Sequence, residues 1–356
     1  MKIKIFAAVL TAVLCLSMSA CGQSGSPHNE SESEPTAPDS IQDTRETSDI
    51  LRNITDLGGN EVQIPAISEI KRVVVISPPV MSFVVETIPD TEMIKGISSR
   101  AFTTSNTEIV EKVFPGWQSV DTTFIDAGFV VNTESLLKLE PDIIFYYGNV
   151  QKQGLGNTGI PSMDFFSKEL KGPEAISVAW DNQLREIFGL DSSNSQQEQW
   201  QLVNEKAAAL LKDKEETKSA LCIFSNAAGS IVVSGTDSFD AYAQSFFGMS
   251  GISNAAADLD GTVEVSMEQI SQWNPDMIIV FHDAPAKDIL ANSISGQDWS
   301  LLNAWKNKAV YDVPRTTYSW ITPCAASPLL PLWLISKAYP ELLSNDEMRD
   351  EIADYY

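Results

Sequence analysis

Aromatic and cationic side chains collect where the predicted strands of this chain end. These residues are Arg100, Tyr146, Tyr147, Trp180, His282, Arg315, Tyr318 and Trp320. Large flat side chains beside a few fixed hydrogen-bond donors suit a bulky, planar or chelated ligand better than a bare ion or a sugar. One such aromatic residue alone is more often part of a core, and His282 fits an ordinary strand-end histidine equally well. Their shared position at strand ends therefore indicates a binding site.

The same sequence offers little for catalysis. The part expected to fold contains one histidine, His282, and the chain has no GxSxG, HExxH, CxxC or GxxxxGK[ST] motif. Residues 154–159 read GLGNTG, but they follow no immediate strand and open no helical pattern, so we assign them to a loop. A single histidine does not supply a metal site. We expect no catalytic residue, no resident cofactor and no bare metal site, and hence no enzyme.

The elements that position these side chains alternate between strand and helix. Apolar strand patterns occur at 72–76, 93–97, 143–146, 220–225, 230–234, 277–281 and 309–313, with a further one at 159–163 or 176–180. Helical patterns occur at 196–212, 238–247, 267–273, 326–338 and 346–355. This alternation predicts doubly wound α/β sheets, whose ligands bind beyond the carboxyl ends of the strands. We expect a first lobe over residues 51–180, a helical link over 181–215, a second lobe over 216–356, and a cleft between the lobes.

One stretch occurs twice, at 132–145 and at 266–279. In each copy a polar residue suited to a helix N-cap is followed by a glutamate, Glu134 or Glu268, and then by apolar residues spaced for one buried face. Both copies continue into Pro-Asp and an apolar run typical of a buried parallel strand. Two lobes built on one plan would explain the repeat. Chance similarity between two ordinary helix–strand units is the alternative.

The N-terminal fifty residues carry targeting signals rather than a fold. Residues 1–20 read as an export signal, with two lysines before an apolar run too short to span a bilayer. The sequence MSACG at 18–22 resembles a bacterial lipobox, so we expect Cys21 to be acylated, with chains such as palmitate, and to anchor the protein on the extracytoplasmic face of the cell membrane. Residues 21–50 predict a disordered acidic tether. A soluble secreted protein with an incidental Cys21 is the alternative.

The net charge limits the possible partners, and the cysteines bear on whether a disulfide forms. The net charge of −24 supplies no basic stripe, which excludes nucleic acid as a partner and favours one with a basic docking surface. Cys222 lies in a strand pattern, where a buried thiol is expected. A disulfide between Cys222 and Cys324 stays open as an alternative in an exported protein.

Four features, the paired repeats among them, occur in order along the chain. They are DLGGNEVQIP at 56–65 leading to KRVVVISPP at 71–79, the paired repeats, DWSLLNAWKNKAVYDVP at 298–314, and PLWLISKAYPELL at 331–343. In these features the chain from about Asp56 onward resembles the extracytoplasmic substrate-binding proteins of ATP-driven importers for iron siderophores, haem and corrinoids. The resemblance implies two Rossmann-like lobes joined by a long backbone helix, with the ligand in the cleft between them.

The resemblance also implies partners and a cargo. Glu134 and Glu268 match positions whose carboxylates dock on arginines of the ABC permease, one glutamate per lobe, and the permease works with a cytoplasmic ATPase. A ferric siderophore is the expected cargo, and a corrinoid or haem is the alternative; for haem, Tyr146, Tyr318 and His282 are available as axial ligands. We expect a monomer. A sensory or structural surface lipoprotein without a transport role is the alternative from another class.

Overall fold

The computed structural model describes residues 51–227, 229–238 and 241–356. The predicted signal peptide, the tether and the acylation of Cys21 lie outside these residues. In the described ranges, no helix has both the length and the apolar character needed to cross a bilayer. The strands are β1 Arg52–Thr55, β2 Glu61–Ile64, β3 Val73–Val75, β4 Ile94–Ile97, β5 Ile143–Tyr146, β6 Ser162–Asp164, β7 Ser219–Ala227, β8 Ser230–Ser234, β9 Ser253–Asn254, β10 Thr262–Val265, β11 Met277–Asp283 and β12 Val310–Asp312.

The helices lie between and around these strands. They are α1 Pro78–Thr87, α2 Arg100–Thr103, α3 Thr107–Val113, α4 Thr133–Lys138, α5 Gly148–Leu155, α6 Gly172–Phe188, α7 Gln196–Leu211, α8 Ala243–Met249, α9 Met267–Trp273, α10 Ala286–Leu290, α11 Asn303–Lys306, α12 Leu330–Ala338 and α13 Asn345–Tyr355. Strands and helices alternate through most of the chain, as the sequence pattern predicts.

The N-terminal lobe contains a parallel sheet in the order β4-β3-β5-β6. Every residue of β3 and β5 is buried, because successive side chains enter two different cores. Val73 and Phe145 pack into one core, whereas Val74 and Ile144 pack into the other. Strands β1 and β2 form an antiparallel hairpin that turns at 57–60, where two consecutive glycines lie.

The C-terminal lobe contains a mixed sheet in the order β10-β8-β7-β11-β12, with β9 beside β7. Strands β7, β11 and β12 are parallel, whereas β8 and β10 are antiparallel to their neighbours. The α/β class with two lobes is therefore confirmed. The antiparallel part was not predicted; it follows from the two-residue connection between β7 and β8, which is too short for a parallel crossover.

The repeated stretch forms the same unit in both lobes, α4 followed by β5 and α9 followed by β11. In the first copy, Oδ2 of Asp142 accepts hydrogen bonds from the backbone N–H groups of Lys71 and Arg72 at 2.7 and 2.8 Å. In the second, Oδ2 of Asp276 accepts one from the N–H of Ser219 at 2.9 Å. The proline ends the helix, and the aspartate joins its strand to the start of the adjacent parallel strand.

Two long helices, α6 and α7, lie between the two sheets in the sequence. Helix α6 packs against α1 of the N-terminal lobe and against α8 of the C-terminal lobe, so it connects both. It begins at Gly172, inside the segment assigned to the first lobe, and the alternative strand at 176–180 is wrong. Ile176, Trp180, Leu184 and Ile187 form the buried side of this helix. The apolar residues within 176–180 produced the strand-like pattern there.

The two cysteines of the folded region, Cys222 and Cys324, are buried and free. The disulfide left open by the sequence is therefore not formed in this structure.

Candidate functional site

A cleft of about 980 Å³ lies between the two lobes. Several of the residues in its walls lie at or just beyond the carboxyl ends of strands in both sheets, where parallel α/β sheets bind their ligands. Ser77 follows β3, Arg100 follows β4 and Tyr147 follows β5 on one side, while Ser225 and His282 end β7 and β11 on the other.

Most of the residues predicted from the sequence to contact a ligand line this cleft. They are Arg100, Tyr147, Trp180, His282, Arg315 and Tyr318. The structure thus brings together side chains that are more than two hundred positions apart in the sequence. Ligand contact by each of them stays a prediction.

Tyr146 and Trp320 do not line the cleft. Tyr146 is the last residue of β5 and is 2% exposed, and its side chain packs in the core formed with Val74 and Ile144. Trp320 is also 2% exposed, and its Nε1–H donates a hydrogen bond to Oγ1 of Thr316 at 3.2 Å. Tyr146 ends β5 as predicted, but side-chain alternation directs it into a core. Trp320 lies in the loop that follows β12, which ends at Asp312, and it is buried there.

The N-terminal side of the cleft carries an aromatic wall, formed by Tyr147, Phe166 and Trp180. The ring of Tyr147 meets that of Phe166 edge to face at 5.3 Å and that of Trp180 at 5.7 Å. Nε1–H of Trp180 donates to the carbonyl oxygen of Phe165 at 2.7 Å, which fixes the indole. Phe166 was not predicted from the sequence, although its position just after the 159–163 strand pattern was a usable signal.

The C-terminal side places His282 against two phenylalanine rings. The imidazole lies 3.7 Å from the ring of Phe281 and 5.5 Å from that of Phe224, measured between centroids. Burial lowers the pKa of His282, and the nearby cations of Arg315 and Arg100 lower it further, against an opposing effect of Asp283. The imidazole is therefore neutral at pH 7, with a nitrogen lone pair available to a ligand.

Among the described residues that line the cleft, three carry a formal charge: Arg100, Arg315 and Asp283. Arg100 lies 5.1 Å from the ring centroid of Phe129, and Arg315 donates to the carbonyl oxygen of Phe281 at 2.6 Å. Asp283 has a left-handed backbone (φ 67°), and its carboxylate accepts a hydrogen bond from Oγ of Ser225 at 2.5 Å. The cleft is thus locally cationic in a chain of net charge −24.

Residues 315–325, here named the crossing segment, line the cleft and also contact the N-terminal lobe. The N–H of Asn106 donates to the carbonyl oxygen of Thr316 at 2.8 Å, and Oγ of Ser105 donates to that of Thr317 at 2.5 Å. Oγ1 of Thr317 donates to Oε1 of Glu86 on α1 at 2.6 Å. The lobes are therefore joined at a second place besides α6.

Glu134 and Glu268 occupy equivalent positions, each the second residue of its helix, α4 or α9. Both are exposed; Glu134 pairs with Lys138 at 2.8 Å, and its side chain is 81% exposed. Each helix directly precedes a strand that pairs in parallel with its neighbour, β5 with β3 and β11 with β7. Docking by these glutamates stays a prediction.

Known proteins share this fold and sequence pattern. The profile of the periplasmic binding protein family matches residues 118–317, more than half of the chain. The molybdate-binding protein MolA of Haemophilus influenzae is 31% identical over 103 residues, 29% of each chain. An uncharacterized ABC transporter substrate-binding lipoprotein of Bacillus subtilis, YvrC, is 26% identical over 195 residues, 51% of this chain and 58% of that one. The chain thus spans less than two thirds of the length of both curated relatives.

A solved structure extends the likeness over most of the chain. The periplasmic solute binding protein from Veillonella parvula superposes with a TM-score of 0.68 at 25% identity, covering 86% of this chain and 92% of that one. The match of the family profile and the two-lobe architecture agree, and the chain belongs to the periplasmic binding protein family.

Proposed function

We propose that this protein is the extracytoplasmic substrate-binding lipoprotein of an ABC importer, and that it captures a ferric siderophore and delivers it to a membrane permease. The observation that carries the proposal is the cleft, with its aromatic wall on one side and arginines on both. Family membership and the names of the two relatives, a molybdate-binding protein and an ABC transporter substrate-binding lipoprotein, support the transport class.

Size and charge favour an anionic chelate as the cargo. A volume of about 980 Å³ lies near the upper end for small-molecule sites, and a tetrahedral oxyanion such as molybdate would fill a small part of it. Arg100 and Arg315 outnumber Asp283 among the formal charges of the described lining, so the cleft favours a negatively charged ligand. Ferric catecholates combine negative charge with flat aromatic groups that fit beside Tyr147 and Phe166, the partly exposed rings of the aromatic wall.

Haem or a corrinoid is the second candidate, and one observation favours it. The neutral imidazole of His282 lies in the cleft, where it could occupy an axial position of a planar metal macrocycle. Tyr318 lines the same cleft, but burial raises its pKa to about 12, so its phenol is protonated at pH 7 and is the weaker metal ligand.

Tryptophan fluorescence is the experiment that decides the cargo, because Trp180 belongs to the aromatic wall. The purified protein without residues 1–50 is titrated with ferric catecholate, ferric hydroxamate, ferric citrate, haemin, cobalamin and molybdate. We expect saturable quenching by a ferric chelate, with a Kd on the order of micromolar or tighter. Saturation by haemin or cobalamin alone would move the assignment to the second candidate, and flat titrations throughout would overturn the binding role.

Replacing Arg100 and Arg315 with alanine should weaken binding of an anionic chelate. Hydrogen bonds to charged groups contribute roughly 1.5–3 kcal/mol, so each variant should raise the Kd about 10- to 100-fold. The control is Arg349→Ala, since the Arg349 side chain is 75% exposed and pairs with Asp346 on α13, a helix that does not line the cleft. Wild-type affinity in the Arg100→Ala, Arg315→Ala double variant would contradict a cationic site.

Anchoring and location complete the proposal. Acylation of Cys21 would hold the receptor on the outer face of the cell membrane, since two or more chains give stable attachment. Thirty residues of tether would then separate the folded part from the bilayer. A surface lipoprotein with a sensory or structural role would share the anchor. Deleting the gene for such a protein would leave cargo uptake unchanged.

A further inference from the structure

We propose that Asp164 is a positioning residue of the cleft, whose carboxylate fixes the aromatic wall from behind without touching the cargo. The identity of the cargo rests on the function proposed above, whereas the role of Asp164 rests on contacts within the N-terminal lobe.

The carboxylate of Asp164 holds two parts of the wall at once. Its Oδ1 accepts a hydrogen bond from the N–H of Gly148 at 2.8 Å and a second from the N–H of Phe166 at 2.9 Å. Gly148 follows Tyr147 directly, and Phe166 belongs to the wall itself. One oxygen atom therefore sets the spacing of the two backbone segments that carry Tyr147 and Phe166, whose rings meet at 5.3 Å.

Asp164 is in turn held by the β1–β2 hairpin. Its N–H donates to Oδ2 of Asp56 at 3.0 Å, and its carbonyl oxygen accepts from the N–H of Leu57 at 3.1 Å. Asp56 is also bonded to the N–H and Nδ2 of Asn60. A continuous series of hydrogen bonds therefore runs from Asp56 in the hairpin through Asp164 to the backbone of Gly148 and Phe166 at the aromatic wall.

A buried carboxylate is unfavourable unless hydrogen bonds replace the water that it loses, and two backbone N–H groups do so for Asp164. Asp164 is 6% exposed and Asp56 is 3% exposed. Burial raises the pKa of Asp164, and the charge of Asp56 adds to this, whereas the two N–H bonds and Lys152 act in the opposite direction. Charge-assisted bonds to backbone N–H groups are stronger than bonds to a neutral amide, so an aspartate holds these segments more firmly than an asparagine would.

The lobe contains a matched control for this arrangement. Asp142 also accepts two backbone N–H bonds, from Lys71 and Arg72, but it lies before β5, at the amino end of the same sheet. Asp164 lies at the end of β6, on the side where the cleft opens. Replacing either aspartate removes the same kind of bond, and only one of them supports the wall.

The test compares Asp164→Asn, Asp164→Ala, Asp142→Asn and Asp142→Ala. Affinity is measured with ferric tris-catecholate, and amide hydrogen exchange is measured on peptides covering 146–167. We expect faster exchange at Gly148 and Phe166 and a Kd raised about tenfold in Asp164→Ala, with a smaller change in Asp164→Asn. The Asp142 variants should lose comparable unfolding free energy and keep the wild-type Kd. A wild-type Kd in Asp164→Ala, or an equal loss of affinity in Asp142→Ala, would overturn the proposal.

The two proposals fail separately. If wild-type protein does not bind ferric tris-catecholate, that cargo is wrong, and the positioning role is then decided by exchange and by near-ultraviolet circular dichroism of the wall. Changes in both signals in Asp164→Ala but not in Asp142→Ala would support the role. Unchanged signals in Asp164→Ala would overturn it.

Discussion

Replacing Glu134 and Glu268 together with alanine should abolish cargo uptake by intact cells, while the affinity of the purified protein for its cargo stays within about twofold of wild type. Both side chains are exposed and neither lines the cleft. They occupy the same position in the two copies of one helix–strand unit, so together they offer two equivalent carboxylates to a permease with two similar halves. Removing one partner of a buried interfacial charge pair costs roughly 2–5 kcal/mol, and two such losses are enough to prevent docking.

The control for this experiment is a second pair of exposed glutamates, one in each lobe and outside the repeated units. Glu111 on α3 and Glu341 after α12 meet this requirement. Their double alanine variant changes the net charge equally and should transport normally, which separates docking from general electrostatic steering. Unimpaired uptake by the Glu134→Ala, Glu268→Ala variant would refute the docking role, and a loss of cargo affinity would assign these residues to the cleft.

Gly154→Ala should unfold or strongly destabilise the N-terminal lobe. A Cβ at this position would lie 1.9 Å from the carbonyl oxygen of Phe129, which is backbone and cannot rotate away. Helix α5 or the segment at 129–131 must then move, at a cost of about 3 kcal/mol in unfolding free energy. Phe129 lines the cleft and supports Arg100, so a variant that still folds should also bind cargo more weakly.

Gly248→Ala is the matched control, because it places the same methyl group in another helix, α8. A Cβ there meets no atom within 4 Å, so the change should stabilise the protein by about 0.5–1 kcal/mol through helix propensity. Urea unfolding measures both variants. Equal effects of the two substitutions would show that close backbone contact at Gly154 does not limit stability.

The helices and strands that were predicted correctly are those whose capping residues and apolar patterns agree with their packing in the fold. Helix α9 has the predicted bounds, because a capping serine precedes it and Pro275 follows it. Strands such as β5 were recognised because both of their faces are buried, which leaves an uninterrupted apolar run. The paired Pro-Asp copies correspond to real equivalent units, and the bonds of Asp142 and Asp276 to neighbouring strands give the physical reason for both aspartates.

The site was predicted less completely, for reasons that concern single residues. Tyr146 and Tyr147 are adjacent, yet one side chain enters a core and the next lines the cleft, and strand periodicity alone does not show where the strand ends. Trp180 lines the cleft from the middle of α6 rather than from a strand end. Phe224 and Phe281 belong to apolar strand runs, so nothing in their immediate sequence separates a cleft wall from a core.

The crossing segment limits how well a permease could distinguish the empty form of this protein from the loaded form. Because α6 and residues 315–325 both join the lobes, a wide opening would have to break the bond between Thr317 and Glu86. The distance between Glu134 and Glu268 should therefore differ little between empty and loaded protein. Empty receptors would then compete with loaded ones for the same permease. Import would depend on the loaded fraction of the receptor population, and overproduction of the receptor at low cargo concentration should slow uptake rather than accelerate it.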